Sequence, residues 1–221
     1  MKDCTFLDFQ ASRDKESLIR VHAGEPRKQP LNRLLFGKFS EHLHHNIYNG
    51  MWAQILRNPV FGDWHYFDKQ FRRWDQGESR EDFPAAELAA ALRRHVACWW
   101  LPYGGADTVY AIERHEPLNG ETCQAVEVRG AGEESGIEQP VYLPCHRVRD
   151  YTACLYVRGD GAPLRVSLRH GNRELDAWQI AGVTEEWQRF EGTLRLPEDA
   201  VRSGELYALR IGFSRPGRIC V

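Results

Sequence analysis

The sequence lacks the features that mark nucleic-acid-binding, membrane-spanning and secreted chains. Its 29 basic and 31 acidic residues give a formal net charge of −2 and form no basic stripe of the kind that a phosphate backbone requires. No apolar run approaches the roughly 18 residues of a membrane span. The first residues, MKDCTFLDFQASRDKESL, contain three aspartates and no apolar signal-peptide core. We therefore expect neither nucleic acid nor a membrane as a partner, and we expect a cytoplasmic location.

Closely spaced cysteines are also missing. The six cysteines lie far apart and include no C-x-x-C pair, which argues against a zinc site and against the disulfide framework of a small secreted domain. We interpret them as reduced and mostly buried thiols. They are Cys4, Cys98, Cys123, Cys145, Cys154 and Cys220.

The N-terminal part predicts one strand–helix unit. SLIRVHAGE indicates a short strand, and RLLFGKFS is typical of a buried strand. Beyond it Ile47, Met51 and Ile55 recur at helical spacing, with Asn46 placed as the cap and an Asn-Pro pair placed as the stop. Binding groups of βα architectures gather beyond the C-terminal end of the strand, which is the position of Glu41.

After a short helix predicted at about 84–95, the pattern changes to alternating apolar and polar residues. Eight such runs follow one another, separated by glycine, proline, asparagine and aspartate. They are TVYAIER, TCQAVEVRG, IEQPVYLP, YTACLYVRG, LRVSLRHG, DAWQIAG, EEWQRFEGTLRLP and LYALRIGFS. RGDGAP and RHGNRE are interpreted as hairpin turns.

This spacing predicts a mainly β fold, a jelly-roll β-sandwich of about eight antiparallel strands preceded by the strand–helix unit. The expected divisions are an N-terminal strand and linker at 1–30, the first βα unit of an incomplete barrel at 31–61, a connection with a short helix at 62–97, and the sandwich at 98–221. The chain ends at GRICV, within an apparent strand, so we expect it to be truncated.

The stretch LLFGKFSEHLHHNIYNGMWAQILRNPVF resembles the start of glycoside hydrolase family 51, the α-L-arabinofuranosidases. The resemblance covers about 28 residues and rests on Gly37, Phe39, Glu41, Tyr48, Gly50, Asn58 and Phe61. It implies the first strand and helix of a (β/α)8 barrel, retaining hydrolysis of terminal α-L-arabinofuranosyl groups by the complete enzyme, and substrate-binding roles for Glu41 and Asn58. No cofactor is implied.

Residues 98–221 resemble carbohydrate-binding modules of families 4 and 9, which are jelly rolls. Some family 51 enzymes carry such a module after the first βα unit, so the two resemblances are compatible. They imply a partner that is an arabinose-containing oligosaccharide or polysaccharide. Trp178 is the candidate sugar-binding aromatic residue of the module, whereas Trp187 is expected in its core.

Catalytic and metal sites are not predicted. Retaining hydrolysis needs two carboxyl groups about 5 to 5.5 Å apart, and the neighbouring pairs Glu133–Glu134 and Glu185–Glu186 are interpreted as solvated turn charges. His42, His44 and His45 do not have the spacing of a zinc motif, and we interpret them as structural or substrate-rim residues.

Two functions remain open at this point. The chain is either the N-terminal part of an arabinofuranosidase-like hydrolase, inactive by itself, or a stand-alone carbohydrate-binding or interaction module. The apolar face of the barrel segment also indicates self-association or poor solubility.

Overall fold

The structure is a computed structural model that describes residues 7–11, 17–21, 55–62, 85–144, 148–198 and 204–221. The chain divides into two compact units, residues 1–47 and 48–221. In the first unit, β1 (Leu7–Ala11) pairs antiparallel with β2 (Ser17–Val21). The strand predicted in SLIRVHAGE is therefore β2, and β1 is an additional strand that was not predicted.

The second unit is built from one described helix and ten described strands. The helix, α1 (Ala85–Arg93), lies within the range predicted for it. The strands are β3 (Leu101–Tyr103), β4 (Thr108–Glu113), β5 (Cys123–Val128), β6 (Ser135–Tyr142), β7 (Asp150–Gly159), β8 (Leu164–His170), β9 (Arg173–Ile180), β10 (Gln188–Arg195), β11 (Leu206–Phe213) and β12 (Gly217–Cys220).

These strands form two five-stranded antiparallel sheets. The first sheet has the order β10-β7-β12-β5-β4, and the second sheet has the order β3-β6-β11-β8-β9. Successive strands repeatedly cross between the sheets, which confirms the predicted jelly-roll β-sandwich. Beyond the eight alternating runs, the four-residue β12 is the strand expected at GRICV, and the three-residue β3 was not predicted.

Alternation of side chains explains how the core forms. In β8, Leu164, Val166 and Leu168 share one face and are buried, as their spacing predicted. In β7, the inward positions include Leu155 and Val157, which lie directly opposite Phe190 and Gln188 of β10. Each sheet therefore has one face in the common core and one outer face.

The two predicted hairpin turns have different outcomes. RHGNRE does join neighbouring strands, β8 and β9, and its Gly171 has a φ of 54°, which suits glycine. RGDGAP does not form a hairpin, because β7 and β8 belong to different sheets. There the Asp160 carboxylate accepts from the N–H of Arg218 at 2.8 Å, so the turn is tied to β12.

The helix predicted from Asn46 lies mostly outside the described residues. Its described end, residues 55–58, is not helical. As for membranes, we find no helix among the described residues that is both long and apolar enough to cross one.

Two buried glutamines connect the sandwich to the segments that precede it. Gln124 of β5 is fully buried; its Oε1 accepts from the N–H of Ala97 at 2.6 Å and its Nε2 donates to the C=O of His95 at 3.2 Å. Gln139 of β6 accepts from the N–H of Arg57 at 2.7 Å and donates to its C=O at 2.8 Å. Each amide thus bonds to buried or partly buried main-chain groups that no strand pairs with.

Replacing Gln124 by leucine should lower the free energy of unfolding by about 2 to 4 kcal/mol, because the buried N–H of Ala97 and the partly buried C=O of His95 would lose this partner. Chemical denaturation would measure this loss. The same change at the exposed Gln179 of β9 is the matched control, with an expected effect below about 0.5 kcal/mol. Equal midpoints for Gln124→Leu and the wild type would contradict the role given to this amide.

Candidate functional site

The predicted site residues fall in separate places. Glu41 lies outside the described residues, as do His42, His44 and His45. Asn58 lies in a turn that precedes the sandwich, and Trp178 lies in the edge strand β9 of the second sheet. A substrate-binding role for Glu41 stays a prediction.

Asn58 organises the turn formed by residues 58–62. Its side chain is only 4% exposed; Oδ1 accepts from the N–H of Gly62 at 2.9 Å, and Nδ2 donates to the C=O of Cys98 at 3.1 Å. Its own C=O accepts from the indole N–H of Trp100 at 3.2 Å. The backbone of Asn58 is left-handed, with a φ of 45°, which asparagine tolerates. In this structure the Asn58 side chain bonds to the main chain of Gly62 and Cys98. Its role in substrate binding stays a prediction.

Trp178 is half-buried and faces the interior of the sandwich. It lies opposite Val166 of β8, and its ring covers Gly192 of the facing edge strand β10. A Cβ atom at position 192 would come within 2.2 Å of the ring, so only glycine leaves space for it. The ring therefore packs between β9 and β10. The role of Trp178 in sugar binding stays a prediction.

An exposed aromatic ring lies instead on the outer face of the first sheet. Tyr156 of β7 is 42% exposed and lies directly opposite Arg189 of β10. Arg189 is ion-paired with Glu191 on the same strand. Sequence reasoning missed Tyr156, although the alternation in YTACLYVRG places it on the face opposite Leu155 and Val157.

Trp187 lies on this same outer face and not in the core where it was expected. It is half-buried, and the guanidinium of Arg158 lies 5.2 Å from the centre of its ring. Its indole N–H donates to the C=O of Glu116 at 2.9 Å, and Arg158 also pairs with the Glu116 carboxylate at 3.5 Å. The ring packs on a small cluster formed by Cys123, Ala125 and Cys220. We define the outer face around Tyr156, Arg158, Trp187, Arg189 and Glu191 as the Tyr156 face.

The thiols of Cys123 and Cys220 interact beneath Trp187. All four cysteines among the described residues are free, and three of them are buried, in agreement with the prediction of reduced thiols. A hydrogen bond from Cys123 lowers the pKa of Cys220 to about 7, and the nearby Arg218 and Arg158 act in the same direction. The same hydrogen bond, together with burial, raises the pKa of Cys123.

Stability should therefore depend on the ionisation of Cys220. Because its folded pKa is about 7 and an unfolded thiol titrates near 8.5, its contribution is complete above about pH 8.5 and is lost as the pH falls through 7. Cys123 has the opposite effect on stability. Because its folded pKa is raised, its contribution is lost as the pH rises above the unfolded value near 8.5. The difference between the ultraviolet thiolate titrations of the wild type and of Cys220→Ala should have a midpoint near 7, and Cys123→Ala should raise that midpoint. A difference midpoint at 8.5 or above in the wild type would contradict the interaction.

The carboxylates of Glu134 and Glu174 are engaged in ion pairs at the outer face of the second sheet. Glu134 accepts from the hydroxyl of Tyr103 at 2.8 Å and pairs with Arg165 at 3.3 Å, so it is not the solvated turn charge that was expected. Arg165 also pairs with Glu174 at 2.5 Å and thereby lowers the pKa of that carboxyl. A lowered pKa is opposite to what a general acid in glycoside hydrolysis needs. Glu185 and Glu186 are exposed in a turn, as predicted.

No group of three or more histidine, cysteine, aspartate or glutamate side chains suited to a metal ion occurs in the part of the chain that the structure describes. The histidines of the opening motif lie outside that part.

Comparison with solved structures shows a similarity in fold to one larger enzyme. The fold is similar to that of an α-L-arabinofuranosidase. This enzyme is the arabinose-bound MgGH51 α-L-arabinofuranosidase. Its solved structure matches 81% of this chain with a TM-score of 0.55 and 18% sequence identity. This chain spans only 27% of the length of that enzyme.

Two smaller solved structures are similar over a smaller share of this chain. One solved structure, described as "CBM4 structure and function", matches this chain with a TM-score of 0.40 and 16% identity. The match covers 55% of this chain and 81% of that protein. The CBM22-1 xylan-binding domain of Paenibacillus barcinonensis Xyn10C has a TM-score of 0.40 and 14% identity, covering 55% of this chain and 80% of its own. No family model and no curated protein matches the sequence.

Proposed function

We propose that this chain is the N-terminal, sugar-recognising part of an α-L-arabinofuranosidase-like glycoside hydrolase. In this proposal the first βα unit carries Glu41 toward the arabinose site, and the sandwich is a carbohydrate-binding module. The complete enzyme would hydrolyse terminal α-L-arabinofuranosyl groups with retention. The catalytic carboxyl groups would come from other strands of the barrel, outside these 221 residues.

The observation that carries the proposal is the extent of the similarity to the arabinofuranosidase. It covers 81% of this chain, whereas the similarity to the isolated modules covers 55%. The larger share extends beyond the sandwich, as expected if the two parts belong together in one enzyme. The motif from Gly37 to Phe61 supports the same family independently of the fold.

The Tyr156 face supplies the chemistry that a sugar-binding surface needs. A flat, exposed ring can stack on the C–H face of a sugar, as Tyr156 is placed to do. Arg189 and Glu191 lie beside it with charged groups that can bond to hydroxyls in the plane of the sugar ring. Arg158 and Trp187 add a second aromatic surface, which their mutual contact holds in place.

Replacing Tyr156 by alanine should weaken binding of arabinan or xylan oligosaccharides about tenfold, because stacking of this kind contributes on the order of 1 kcal/mol. Isothermal titration calorimetry with the 221-residue chain would measure the change. Tyr142→Ala is the matched control, since Tyr142 is 41% exposed but lies on the second sheet. Equal weakening by the two changes, or no binding of either sugar by the wild type, would contradict the assignment of this face.

The purified 221-residue chain should not hydrolyse an aryl α-L-arabinofuranoside, because the catalytic pair would be absent. It should nevertheless bind arabinose, and Glu41→Gln should abolish that binding while leaving oligosaccharide binding at the Tyr156 face unchanged. Hydrolysis by the wild-type chain would contradict the absence of the catalytic pair. Oligosaccharide binding without any arabinose binding that depends on Glu41 would favour the stand-alone module instead.

A further inference from the structure

We propose that Cys123 and Cys220 form a dithiol site that hydrogen peroxide converts reversibly to a disulfide, which ties strand β12 covalently to β5. This inference concerns a modification of the chain and does not depend on the proposed carbohydrate function. It rests on the pairing of the two strands, on the contact between the two thiols and on the charged groups around them.

The pairing of β5 with β12 brings the two cysteines to the same face of the first sheet. Cys220 lies directly opposite Ala125, which is two residues from Cys123 on β5. The pairing continues to Val221, whose N–H and C=O both bond to the main chain of Gln124 at 2.9 Å. Because side chains two residues apart share a face of a strand, Cys123 and Cys220 are diagonal neighbours on the outer face.

The two thiols are in contact. Together with Ala125 they form one buried cluster, in which each cysteine is at most 4% exposed. The S–H of Cys123 donates a hydrogen bond to the sulfur of Cys220. A disulfide requires its sulfur atoms to be about 2.05 Å apart. The bond therefore forms by a further approach of two atoms that already interact, and the strand pairing stays as it is.

The charged groups around the pair make Cys220 the nucleophile. The hydrogen bond from Cys123 and the guanidinium groups of Arg218 and Arg158 lower the pKa of the neighbouring thiol to about 7. Burial and the Glu113 carboxylate act in the opposite direction. Because the thiolate is the form that attacks an oxidant, and an ordinary thiol titrates near 8.5, the sulfur of Cys220 reacts first at neutral pH.

The oxidation takes place in two steps. The Cys220 thiolate attacks one oxygen of hydrogen peroxide, the O–O bond breaks, hydroxide leaves and the sulfur becomes a sulfenic acid. Cys123 gives its proton to that hydroxide, and its sulfur then attacks the Cys220 sulfur. The S–O bond breaks, and the oxygen leaves as hydroxide and takes up the proton that Cys220 lost at the outset. Two thiols and one peroxide thus give one disulfide and two waters.

The Trp187 ring selects a small oxidant. It packs on the cluster from the outer side, and its indole N–H is held by the C=O of Glu116 at 2.9 Å. Hydrogen peroxide is close to water in size, whereas oxidised glutathione has to displace the ring to reach either sulfur. Cys154 is exposed on the same outer face, so it is the preferred target of the bulkier reagent.

The test uses the 221-residue chain, reduced, freed of reductant and treated with a small excess of hydrogen peroxide at neutral pH. Trypsin releases each of the six cysteines in a different peptide, because lysine or arginine residues separate them. Mass spectrometry should show peptide 115–129 joined to peptide 219–221 with the loss of two hydrogen atoms, and dithiothreitol should separate them. In concentrated urea, where the contact is lost, this selective pairing should disappear.

Three outcomes would overturn the proposal. The first is a peptide 219–221 that stays unlinked while Cys154 is oxidised. The second is a disulfide that joins 219–221 to a peptide other than 115–129, or that joins two chains on a nonreducing gel. The third is oxidised glutathione reacting with Cys220 as fast as with Cys154, which would contradict the shielding by Trp187.

Variants separate the pair from the other thiols. Cys154→Ser is the matched control on the same outer face and should leave the yield of the linked peptides unchanged. In Cys123→Ala the sulfenic acid on Cys220 lacks its resolving thiol, so dimedone should label peptide 219–221, whereas in the wild type the disulfide forms instead. Equal dimedone labelling of the wild type and Cys123→Ala would overturn the role of Cys123.

A denaturation measurement tests the tie between the strands. The disulfide joins residues about 100 positions apart, which restricts the unfolded chain, so the oxidised wild type should unfold at a higher denaturant concentration than its reduced form. Peroxide should leave the midpoint of Cys220→Ala unchanged. An oxidised wild type that carries the linked peptides but has an equal or lower midpoint would overturn the stabilising tie.

Discussion

The structure depends on buried side-chain amides that satisfy main-chain groups outside the sheets. A sandwich can pair its own strands, but the irregular segments that pack on it carry N–H and C=O groups that burial would leave without partners. Gln124, Gln139 and Asn58 provide those partners for residues 57–62 and 95–98. Hydrogen bonds from these side chains therefore set the position of residues 57–62 on the sandwich.

Much of the fold was accessible from side-chain alternation, because each strand must direct one face into the core. That argument located all eight predicted strands. It did not locate β3, which is only three residues long and too short to show a period. It also misjudged RGDGAP, since a glycine-rich turn has the same local sequence whether the next strand is a neighbour or lies in the opposite sheet.

Site residues were harder to predict, because exposure depends on which strands become neighbours. Trp178 and Trp187 have similar sequence surroundings, yet the first faces the interior and the second lies on the outer face over Cys123 and Cys220. Gln124 and Gln139 were recognisable in principle, as polar residues at inward positions of apolar strands. Their partners were not, because these lie 27 and 82 residues away in the sequence.

The contact between Trp178 and Gly192 has a consequence for sequence variation in this fold. The two residues belong to different sheets, and the missing Cβ at 192 is the space that the indole ring occupies. A larger residue at 192 is compatible with the present separation of the sheets only if position 178 becomes smaller. Among related chains the two positions should therefore vary together, as a single inherited unit, although 14 positions separate them.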